Sequence, residues 1–190
     1  MQGNLETRVL KTSFGHELGR IIDMSFFPSG FGAAEIALID HSDRIAKRVH
    51  RDELRYMGGP YDEHIKDMLR LYEEVRAAVE QEYGIRLQVR IRDLISIILH
   101  DVVEDNPDIS MLRGELRAIN PDGEGKNNVG RDFVIGMIKS QREKIVGKLY
   151  YDLLNFINSL GIDGNKTQEL RLESTIAIGA VDWLTRHTED

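Results

Sequence analysis

The chain contains no cysteine. This removes disulfides, thiolate metal sites and thiol nucleophiles together. No apolar run is long enough to span a bilayer, so no membrane-crossing helix is expected. No basic segment followed by an apolar run opens the sequence, so a secretory leader is not expected and a cytoplasmic protein is. Positive charge is in deficit as well: the formal net charge is −7 and the pI about 5.4. Such a surface binds polymeric nucleic acid poorly, because backbone phosphates need clustered Lys and Arg. It leaves room for a local basic pocket around a small phosphorylated ligand. Within these limits, 190 residues with 41% hydrophobic content suffice for one domain with its own core.

What the chain has is a dense constellation at His100-Asp101-Val102-Val103-Glu104-Asp105, with one imidazole and three carboxylates in six residues. On a helix, His100 and Glu104 share a face, as do Asp101 and Asp105. The adjacent His-Asp pair offers nitrogen and oxygen to one divalent cation, and the two acids a turn later can handle its water. Upstream, Ile91, Leu94, Ile95, Ile98, Leu99 and Val102 recur at helical spacing and predict a buried helix. Its C-terminal end has the wrong macrodipole sign for carboxylates, so a compensating charge is required. A metal ion meets that need.

Coarse periodicity predicts a mainly α protein. Residues 1–40 are the least regular part, with short strands at Thr7–Lys11 and Glu35–Ile39 and a loop over Phe26–Gly32. They read as an N-terminal extension to a domain over 41–190. Ser42 or Asp43 would cap a helix reaching about Tyr56. A second helix is expected from His64 to Tyr83, stopped by Gly84, and a third from about Gln88 to Val103, closed by Asn106-Pro107. A short helix over 107–117 and a loop from Asn120 to Asn128 follow. Long helices over 131–160 and Thr167–Thr185 complete the chain.

Two segments carry a family likeness. His-Asp-Val-Val-Glu-Asp at 100–105 resembles the signature of the hydrolase domain in the RelA/SpoT stringent-response family, a branch of the HD phosphohydrolases. His50, Arg55, Gly58, Pro60, Tyr61 and His64 fit that family's His-x4-Arg-x2-Gly-x-Pro-Tyr-x2-His pattern without a gap. A looser likeness runs from Lys148-Leu149 through Asn155 to Lys166, Arg171, Glu173 and Thr175. Together these cover about residues 42–185.

The resemblance implies a single HD-type helical phosphohydrolase domain. His64, His100 and Asp101 would bind a divalent metal, usually manganese, with Fe, Zn or Mg as further candidates for a mixed N/O site. Glu104 and Asp105 would orient and deprotonate the attacking water. Arg55 would pack on a purine and Asn155 would help hold the nucleotide. The family's fourth ligand is an Asp in a Lys-Leu-Ala-Asp helix. Here Tyr151 falls at that position and Asp152 one place later, a rotation of about 100° around a helix. Asp152 is the candidate if the helix is locally over- or underwound. The stretch from Asp101 to Asp152 is shorter than the family's, and that from His64 to His100 longer, so the pocket walls could differ.

The expected activity is metal-dependent removal of the 3′-pyrophosphate of guanosine tetra- or pentaphosphate. The alternatives are the same chemistry on another nucleotide, such as the NADPH 2′-phosphate or a deoxynucleoside triphosphate, or a degenerate domain that binds nucleotide or protein without turnover.

Overall fold

A computed structural model describes residues 30–51, 60–103 and 128–187. These are mainly helical, as expected, with no strand among them. The five helices are α1 (Ala33–Val49), α2 (Tyr61–Tyr83), α3 (Ile91–Leu99), α4 (Asn128–Ser159) and α5 (Gly164–His187).

The shortest helix is the centre. In α3, Leu94, Ile95, Ile98 and Leu99 are fully buried and Ile91 nearly so. A nine-residue helix this apolar has little stability of its own and forms because neighbours cover it. α1, α2 and α5 all pack on it. Leu38 and Ile39 of α1, Ile65 of α2, Leu153 and Ile157 of α4, and Leu170 and Val181 of α5 complete the core. Polar ties also fix α3 to α5. Arg92 pairs with Glu173 at 3.1 Å, and the Ser96 hydroxyl lies 3.4 Å from the Ala177 carbonyl.

The helix ends follow local chemistry. α2 stops at Gly84, whose φ of 66° suits glycine, and whose N–H donates to the Glu80 carbonyl. The α4–α5 reversal uses Gly161 at φ 64°. Asp163 then caps α5, its carboxylate accepting from the Asn165 and Lys166 amides at 2.9 Å each. Such a cap contributes about 1 kcal/mol. It starts α5 three residues before the expected Thr167.

α1 departs from the sequence reading. It begins at Ala33, inside the expected extension, and takes in the segment Glu35–Ile39 that reads as a strand. Leu38, Ile39, Ser42, Ile45 and Ala46 form one buried helical face. The Glu35 carboxylate caps the helix by accepting from the Gly32 amide at 2.6 Å. Ser42 and Asp43 are therefore interior residues rather than caps, and the Ser42 hydroxyl donates back to the Leu38 carbonyl at 3.0 Å. The segments Thr7–Lys11 and 107–117, and the loop after Asn120 as far as residue 127, lie outside the described residues.

A titratable tie joins α2 to the start of α3. The Tyr72 hydroxyl donates to Asp93 at 3.0 Å. Burial, then the neighbouring Asp93 carboxylate, pushes this phenol up to about 12. The fold thus prefers the neutral phenol. Its stabilisation is complete below pH 10.0, the ordinary value, and is lost as pH rises through about 12. Absorbance titration should show one tyrosine ionising near pH 12, a signal removed by Tyr72→Phe. Stability should fall by about 1–2 kcal/mol across that window, allowing for solvent screening. A titration that Tyr72→Phe leaves unchanged near pH 12 would contradict this.

Candidate metal centre

α2 opens after Pro60, whose extended backbone (φ −72°, ψ 151°) sets the entry angle. This puts Tyr61 and His64 in the first turns of the helix. α3 ends at Leu99, and the chain continues through a turn in which the Val102 amide donates to the Leu99 carbonyl at 3.1 Å. Val102 and Val103 are buried, so the turn is anchored in the core. His100 and Asp101 are left facing His64.

The three residues meet at one point. His64 Nε2 lies 3.1 Å from His100 Nε2 and 3.1 Å from Asp101 Oδ2, and His100 Nε2 lies 3.0 Å from the same oxygen. The donor atoms thus make a near-equilateral triangle. The side chains keep 26%, 18% and 20% of their surface for His64, His100 and Asp101. The group is sheltered yet reachable.

Hydrogen bonding prepares these atoms for a cation. His100 Nδ1 is 2.7 Å from the Ile97 carbonyl. A carbonyl only accepts, so Nδ1 carries the hydrogen and the neutral ring presents a lone pair at Nε2. That lone pair faces a carboxylate oxygen at 3.0 Å. Two acceptors so close require a proton or a cation between them. Donor atoms this close to one another could all reach a single divalent ion. The donor set of two imidazoles and one carboxylate suits manganese, iron, zinc or magnesium.

Tyr61 supports the carboxylate. Its hydroxyl donates to Asp101 Oδ2 at 2.9 Å. Its ring stacks on the buried His50 at 3.6 Å and meets His64 edge-on at 5.7 Å. Burial alone would raise the Asp101 carboxyl. When a proton rather than an ion fills the gap, His100 donates to the carboxylate, and it, the Tyr61 hydroxyl and His64 outweigh burial and hold the group below its ordinary value, so Asp101 is an anion at neutral pH.

The other expected site residues are distributed differently. Asp152 lies outside this group. Its carboxylate is 3.9 Å from the Arg48 guanidinium on α1. Tyr151 is largely exposed, and Asn155 is exposed on α4. Arg55, Glu104 and Asp105 lie outside the described residues.

Beside Asp152, His41 stacks on Phe156 at 4.0 Å and 2°, with the Arg44 guanidinium 5.9 Å from the same ring. Burial, then Arg44, lowers the His41 pKa, against the opposing pull of Asp152. The signal available in the sequence was the spacing of His41, Arg44 and Arg48, which share one helix face. No family model, curated protein or solved structure matches the chain.

Proposed function

We propose that this chain is a metal-dependent phosphohydrolase that removes the 3′-pyrophosphate of guanosine tetra- or pentaphosphate. The carrying observation is the His64–His100–Asp101 triangle, whose edges of 3.0–3.1 Å and fixed His100 tautomer suit a divalent ion. The likeness of segments 50–64 and 100–105 to the alarmone hydrolases supplies the substrate.

A bound ion would supply water of lowered pKa and charge stabilisation at phosphoryl oxygens. The chain's residues do the rest. Asp101 contributes the anion, and Tyr61 and Ile97 orient Asp101 and His100. In this reading Glu104 takes the proton of the attacking water, Asp105 orients it, and Arg55 and Asn155 hold the nucleotide. One water is consumed. Its oxygen bonds to the phosphorus nearest the ribose, the bond from that phosphorus to the 3′-oxygen breaks, and the 3′-oxygen takes up a proton.

The purified chain with Mn²⁺ and guanosine tetraphosphate should release GDP and pyrophosphate in equal amounts, and Asp101→Ala should release neither. A second reading is favoured by the placement of Asp152 against Arg48: with three protein ligands, the domain acts on another nucleotide or binds one without turnover. Bound metal with an intact alarmone would support it. Absence of metal binding at micromolar Mn²⁺ would remove both hydrolase readings and leave a domain that binds without turnover.

A further inference from the structure

We infer that α5 is the interface of a homodimer, pairing antiparallel with α5 of a second copy. α5 is apolar on two opposite sides. Its inner face, Leu170, Ser174, Ala177, Ile178, Val181 and Thr185, is buried. At about 100° per residue, Leu172, Ile176, Gly179 and Trp183 form a second line roughly opposite the first. Among the described residues nothing covers that line: Leu172 is 60% exposed, Ile176 38% and Trp183 57%, and Gly179 is exposed too. A helix apolar on both sides is normally covered on both. Scattered exposed hydrophobic residues need no explanation, but a continuous line of them marks an interaction surface.

The spacing of four, three and four is that of a coiled-coil seam. The identity of the occupant comes from the order of sizes along it. With two copies antiparallel and the twofold axis between Ala177 and Ile178, Ile176 of one copy lies beside Gly179 of the other. In the same register Leu172 lies beside Trp183. The β-branched side chain enters the space left by the glycine, where an added Cβ would meet nothing within 4 Å. The indole has an aliphatic neighbour, and stacking on His187 at 4.3 Å steadies it.

The edges agree with this register. Helices related by such an axis oppose like edges. Glu169 of one copy therefore faces His187 of the other, and Gln168 faces Arg186. No two like charges are opposed. One alignment thus satisfies both apolar layers and both polar edges, the self-complementarity that a twofold contact requires. This inference stands apart from the metal centre and the proposed activity.

Light scattering or sedimentation of the intact chain at about 100 µM should give twice the 21.7 kDa of one copy. Gly179→Arg should shift the dissociation constant at least 100-fold toward the monomer. The helical signal and melting of that monomer should survive, because the position is open in a single copy. The register has its own readout in a chain without cysteine. Ile176→Cys and Gly179→Cys chains, mixed and oxidised, should cross-link to each other in preference to themselves. A parent that sediments as one copy at this concentration would overturn the inference, and so would a dimer indifferent to both Gly179→Arg and Leu172→Glu. Preferential self-cross-linking of each cysteine chain would overturn the antiparallel register.

Discussion

Asp101→Asn is expected to weaken Mn²⁺ binding by at least about 100-fold, beyond the 10–100-fold typical of losing an outer hydrogen-bond partner. The substitution keeps the size of the side chain and an oxygen for the Tyr61 hydroxyl. It removes only the anion that His64 and His100 cannot replace. Tyr61→Phe provides the graded comparison. It leaves the carboxylate but deletes the 2.9 Å bond that orients it, and about 10-fold is expected. Titration calorimetry with Mn²⁺ on the three proteins, with matched circular dichroism, tests the order parent, Tyr61→Phe, Asp101→Asn. If Asp101→Asn binds as the parent does, the ion sits elsewhere and the proposed function loses its support.

The second large effect is structural. Ile98→Ala should destabilise the fold by about 3–4 kcal/mol, within the range for deleting a fully buried branched side chain whose cavity cannot collapse. Ile98 has no exposed surface, and α3 is held by α1, α2 and α5 together, so no single neighbour can move in without leaving another. Because His100 follows directly on α3, the loss should also loosen the metal group. Denaturant unfolding in EDTA measures the first effect, and Mn²⁺ affinity in the folded range measures the second. A cost below about 1 kcal/mol would mean that α3 is not the centre of the core.

How much of this could be read from the sequence varies with the physics involved. The apolar line from Ile91 to Val102 is buried as its period requires, because a helix covered on several sides leaves a dense local signature. His64 beside His100 and Asp101 was legible only through the pattern linking their two segments, since spacing within one helix says nothing about a distant helix. α1 was misread for a definable reason. Ser42 and Asp43 have the chemistry of caps, but Ser42 satisfies its hydroxyl on Leu38 inside the helix, while the cap comes from Glu35 reaching back to Gly32. The placement of Asp152 depends on Arg48, which arrives from another helix. Local periodicity carries no information about such a pairing.

The separation of the two imidazoles along the chain has a thermodynamic consequence. His64 and His100 are 36 residues apart. An ion gripping both would staple the two ends of a long loop, as a disulfide does in chains that have cysteine. By the chain-entropy relation for such a cross-link, closing a loop of this size is worth about 4 kcal/mol, exerted by restricting the unfolded chain. A chelator would then lower the melting temperature while every helix kept its packing, so the same three side chains would serve as hinge pin and as chemistry.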